Sequence, residues 1–143
     1  NVGVYILTLI HYLDVISEIK LQEYMFNSLF YNNKYIVHSC NLRLPYTTLA
    51  NYCYERMFEY CTSLTTAPEL PATTLSNYCY RYMFYGCRKL NSITVYANDV
   101  SATDCTTDWL SNVASSGTFR NLGSATYSRD ASGIPSGWTE VKN

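Results

Sequence analysis

At 143 residues and 16.4 kDa the chain suits one domain with a hydrophobic core. Hydrophobic residues make up 48% and charged residues 15%, which excludes a disordered chain. A net charge of -1 and a pI of about 6.1 exclude the electrostatic footprint of a nucleic-acid or anionic-membrane binder.

In chain order, residues 2–13 form an apolar opening without the basic start or small-residue cleavage site of a signal peptide. The stretch is too short to span a bilayer, which takes about 20 apolar residues, and His11 and Asp14 stop any extension. It reads as a buried strand or helix of the fold. A chain opening on Asn1 rather than Met reads as a processed product or a fragment. Next comes Glu23-Tyr-Met-Phe26, which matches Arg81-Tyr-Met-Phe84, with Ile16 in the place of Leu75 if one extra residue is allowed. Six additional residues between Met25 and Pro45 predict a loop or longer strand around 34–38.

The strongest signal follows. Residues 44–64 superpose on residues 70–90 with a shift of 26 and no gap, in the frame L-P-x-T-T-L-x-N-Y-C-Y-x-x-M-F-x-x-C-x-x-L. Leu75, Cys79, Met83 and Cys87 recur every four residues with Tyr80 and Phe84 beside them, which predicts a helix with one apolar face. Thr73, Thr74 or Ser76 would cap it and Gly86 would end it. Residues 90–96 alternate like a strand. A unit of short strand plus helix cannot bury its own apolar face, so it must stack on its neighbours. The expected interior is a ladder of Leu49, Cys53, Met57, Phe58, Cys61 and Leu64 against Leu75, Cys79, Met83, Phe84, Cys87 and Leu90. Cysteines repeating in that way read as buried thiols, with disulfides and a metal site as the alternatives. Past Tyr96, residues 106–113 read as a short helix, and 117–120 and 138–141 as strands around a turn-rich 132–137.

The M-F-x-x-C-x-x-L core with a short strand and a Pro resembles the BspA-like (Treponema pallidum-type) leucine-rich repeats. The longer L-P-A-T-T-L-x-N-Y-C-Y version, with the closing S-G-I-P-S-G-W-T, is similar to a subtype found in proteins of gut bacteria and their phages; the match covers residues 42–141. The resemblance implies an α/β leucine-rich-repeat solenoid of about 26-residue coils (short strand plus helix) with an irregular C-terminal cap. It would be a single domain over 1–143: degenerate coils over 1–40, clear repeats over 41–96 and a cap over 97–143. It also implies an extracellular, cell-surface or virion location, adhesion or ligand binding, and no catalytic residues.

For a site, Tyr52, Tyr60, Tyr78, Tyr82 and Tyr85 fall away from the inward stripe. Tyr supplies a flat ring and a hydroxyl at low entropy cost, so these rings suit a protein or a glycan, unless they only pack across neighbouring coils. On the strand side, Thr66, Glu69, Ser92 and Thr94 would line a hollow, because helices need 8–10 Å between coils and strands about 4.8 Å, bending the stack. His11 with Asp14, His38, and Asp99 with Asp104 and Asp108 form no recognisable catalytic or calcium motif. The chain is thus expected to be a non-enzymatic binding module with no cofactor, metal, nucleic-acid partner or membrane insertion. Self-association through the ends of the solenoid is left open. The alternative is a structural spacer or assembly element, for example of a phage tail or surface fibre.

Overall fold

The computed structural model describes residues 21–143. The expectations on residues 2–13, His11, Asp14 and Ile16 lie outside them. Among the described residues there is no helix, so the α/β leucine-rich-repeat solenoid expected from the sequence is not the fold of this chain. Regular structure among the described residues is three short strands, β1 (Ser92–Val95), β2 (Gly117–Asn121) and β3 (Trp138–Lys142), in one parallel sheet of order β1-β2-β3.

The segments expected to be helical are runs of β-turns. In residues 50–61 the odd-numbered amides close i to i+3 turns: Cys53 onto Ala50, Glu55 onto Tyr52, Met57 onto Tyr54, Glu59 onto Arg56 and Cys61 onto Phe58. The even-numbered amides instead donate to the next winding: Tyr52 to the Asn77 carbonyl, Tyr54 to Cys79, Arg56 to Arg81, Phe58 to Met83 and Tyr60 to Tyr85. Residues 22–33 and 76–87 do the same, and 102–111 repeat the within-turn bonds. From Tyr52 to Cys61 each backbone amide thus has a partner, as buried amides require, but half of those partners are outside the local segment. The segment expected as a helix over 106–113 is the fourth run of this stair.

Every fourth residue has a positive φ: Tyr24, Ser28 and Asn32, then Tyr52, Arg56 and Tyr60, then Tyr78, Tyr82 and Gly86, then Asp104, Asp108 and Asn112. These occupy the third position of alternate turns, where a type II turn places a left-handed residue. Holding Tyr or Arg there costs on the order of 1 kcal/mol each, offset by the inter-winding ladder and by what the turns bury. At Gly86 (φ 74) an added Cβ would also sit 2.6 Å from the Tyr60 ring, so this step of the stair takes glycine.

Stair geometry sends side chains two in and two out. Cys53-Tyr54, Met57-Phe58 and Cys61 point inward and are at most 1% exposed. Equivalent residues then pile into columns: Phe26–Tyr54–Tyr80 with ring centroids 5.5 and 6.1 Å apart, and Phe30–Phe58–Phe84 at 5.1 and 5.5 Å. All but two of the expected ladder residues are fully covered; Leu49 is 7% exposed and Leu75 is half-buried at the margin. Full burial of one such side chain contributes about 1.5–3 kcal/mol. The first winding enters these columns one turn away from where its Tyr-Met-Phe motif points. Phe26 stacks on Tyr54, and Phe30 takes the place that aligns with Phe58 and Phe84.

The opposite side of each winding is strand-like. Isolated parallel bridges join His38 to Thr66 and Thr66 to Ser92, and the sheet continues the row through Thr118 to Thr139. Ile93, Val95, Phe119 and Trp138 point inward and meet the stair columns. Trp109 and Tyr127 stack at 5.9 Å, and Trp138 Nε1 donates to the Ala114 carbonyl, closing the far end of the core. Both sides advance by one backbone hydrogen bond per winding, a step of about 4.8 Å. The curvature expected from wide helices facing narrow strands therefore has no cause here.

Candidate functional site: the tyrosine and arginine face

The outward pairs of the stair form a grid. One column is Tyr24–Tyr52–Tyr78, with consecutive centroids 4.5 Å apart and planes within 6°. Beside it runs Asn27–Glu55–Arg81, in which Asn27 Nδ2 donates to Glu55 Oε2 at 2.8 Å and Arg81 Nε to Glu55 Oε1 at 2.7 Å. The next column carries Arg56 against Tyr82, the guanidinium carbon 4.7 Å from the ring centroid. Arg56 Nη1 also holds both oxygens of Glu59, at 2.9 and 3.2 Å. Arg81 lies 4.6 Å from the Tyr78 centroid. Cation–π pairs of this kind contribute roughly 0.5–1 kcal/mol at exposed sites.

Glu55 and Glu59 are outward by position yet buried, 5% and 4% exposed, because the arginines and rings cover them. Burial pushes the Glu59 carboxyl up, and Arg56 opposes that shift. Covering by neighbouring rings, with the Tyr24 phenol next in effect, pushes the Tyr52 phenol up.

Of the five predicted tyrosines, Tyr60 is exposed at 40%, and Tyr52, Tyr78, Tyr82 and Tyr85 are half-buried. Tyr60 meets Tyr85, and Tyr82 meets Tyr85, edge to face at 5.6 and 5.8 Å. All five therefore lie on one face. Both broad faces of Tyr52 are taken by Tyr24 and Tyr78, and one face of Tyr78 is taken by Tyr52. At Tyr52, the middle of the column, only ring edge and hydroxyl are left for solvent, whereas Tyr24 at its end is exposed. Tyr24 (53% exposed), Tyr31 (50%), Arg56 and Arg81 join this face in addition to the five expected tyrosines. A strict four-residue period, two in and two out, was the signal that would have found them.

The other candidates resolve into local roles. All six cysteines are free; Cys40 is exposed and the rest are buried. Cys61 Sγ lies 3.1 Å from the Phe30 carbonyl and Cys87 Sγ 3.0 Å from that of Phe58. Burial raises the Cys53 thiol to about 12 and the Cys61 thiol to about 11. Asp99, Asp104 and Asp108 each accept a nearby hydroxyl, from Ser101, Thr107 and Ser111, and among the described residues no cluster suited to a metal ion forms. His38 is exposed, its Nδ1 3.0 Å from Thr65 Oγ1. No described helix is long and apolar enough to cross a membrane. No protein-family model matches the chain, and no curated protein or solved structure does so either.

Proposed function

We propose that the chain is a non-catalytic recognition module whose tyrosine and arginine face docks a protein, displayed at a cell surface or on a virion. The observation that carries this reading is the Tyr24–Tyr52–Tyr78 column with Arg56 and Arg81 beside it. Tyr and Arg are the residues that dominate binding hot spots, and rings locked by stacking lose little further entropy on binding. Both ring faces of Tyr52 are occupied, so at the middle of the column a partner meets ring edge and hydroxyl beside the guanidinium groups, contacts that suit a protein surface. Buried, protonated thiols make poor nucleophiles, in keeping with a non-enzymatic role. The likeness of the M-F-x-x-C-x-x-L frame to bacterial surface repeats supports display.

The test is binding of the fluorescently labelled chain to intact bacterial and epithelial cells by flow cytometry. The Tyr60→Ala, Arg56→Ala double variant should weaken binding at least about tenfold, equivalent to about 1.4 kcal/mol, while Thr139→Ala leaves it unchanged. Absence of binding to every surface, or equal binding by the double variant, overturns the proposal and leaves the spacer role.

A further inference from the structure

On the strand side, away from the tyrosine face, lies a groove of about 670 Å³, within the roughly 300–1,000 Å³ range of small-ligand sites. Its floor carries Thr66, Ser92 and Thr94, the residues expected from the sequence to line a hollow, with Glu69 at the margin. Its wall, residues 40–45, owes its existence to a local length change. From His38 to Thr48 the first winding uses ten residues, where the bridged partners Thr66 and Thr74 span eight. Of the six additional residues counted from the sequence, four reflect the one-turn offset of the first stair and two are this real insertion. Leu42 and Leu44 are buried and anchor the wall, while Arg43 between them projects.

We infer that this groove is a binding site for a short neutral saccharide. The hydroxyls of Thr66, Ser92 and Thr94 have no side-chain partner among the described residues, and Arg43 and Glu69 enter no ion pair there. Hydroxyls both donate and accept, which matches the alternating hydrogen-bond needs of a sugar ring. One cation and one anion on the groove cancel, which disfavours a polyanion. An apolar ligand would strand the hydroxyls at about 1–3 kcal/mol for each group left unpaired. Pro45 and Pro71 add the apolar surface that the C–H side of a sugar requires. The site is independent of the protein-docking reading, because none of these residues belongs to the tyrosine grid.

Saturation-transfer NMR of the full chain with maltotriose, cellotriose, chitotriose and lactose, each at about 5 mM, is the first measurement; at least one should bind in the roughly millimolar range. For that saccharide, Arg43→Ala and Thr94→Ala should each weaken binding about tenfold, and Tyr60→Ala should not. Occupancy should also slow alkylation of Cys40, the exposed thiol at the groove. Should Thr94→Ala shift the urea midpoint, exposed Glu69→Gln takes its place as the deciding variant. No saturation transfer to any of the four sugars, or affinity unchanged in the groove variants, overturns the inference.

Discussion

Residues 50–61 and residues 64–70 belong to one winding and lean on the same neighbour, yet they use that neighbour differently. On the stair, alternate amides reach across while the others close turns, and the side chains inside are aromatic rings, Met and thiols. On the strand side the pairing at Thr66 and Leu70 is sparse, and the outward positions are hydroxyls with few partners. The stair holds the molecule together; the strand side closes the winding and leaves a polar surface. Stability and surface chemistry can therefore be perturbed separately.

The largest break in that comparison should come from alkali. Burial raises Cys53 and Cys61 from 9.0 to about 12 and about 11, and pushes Cys79, Cys87, Tyr54 and Tyr80 up as well. Above pH 9 the unfolded chain loses thiol protons that the folded chain keeps, so stability falls as pH rises through the window up to the folded values. Each thiol contributes about 1.4 kcal/mol per pH unit there. Urea unfolding under reducing conditions should thus lose on the order of 5 kcal/mol between pH 8 and pH 10. A flat profile would mean that the thiols are not interior. The next effect is Phe84→Ala, expected to cost about 3–5 kcal/mol by urea unfolding, against under about 0.5 for Thr66→Ala across the winding. Equal costs would erase the distinction between the two sides.

Smaller still is Gly86→Ala, at about 1–3 kcal/mol. Adding Tyr60→Ala should relieve the contact with the ring but not the φ of 74, so rescue will be partial. Full rescue would assign the whole effect to the ring. Smallest, and of opposite sign, is Asn112→Gly. In a helix interior it would destabilise, whereas at φ 56 it should leave thermal stability unchanged or raise it by up to about 1 kcal/mol.

The repeat and its columns were legible in the sequence: a shift of 26 residues aligns Met57 with Met83 and Cys53 with Cys79, and the backbone joins those coils. β1, β2 and β3 were legible as well, from alternation and flanking turns. The local conformation was not. Leu75, Cys79, Met83 and Cys87 at intervals of four satisfy a helix and a stair of four-residue steps alike. A 3.6-residue helix drifts about 40° over each such step, and the inward pairs Cys79-Tyr80 and Met83-Phe84 show no drift. Nothing in local propensity announces Tyr52, Arg56 or Tyr82 at positive φ, because contacts between windings impose it. For the site, the tyrosines were found by their outward phase. Tyr24 was hidden by the misleading match of its Tyr-Met-Phe motif, and the placement of Arg56 and Arg81 is completed by the Tyr82 ring and the Glu55 carboxylate one winding away.

Because the stair and the strand side climb at the same rate, a whole 26-residue unit could be duplicated or deleted at Asn51/Asn77 without shifting any other pairing. Each duplication would raise the height by only about 4.8 Å while adding a full row to both lateral walls. Descendants of such a gene would grow chiefly in the extent of wall they present, gaining little reach.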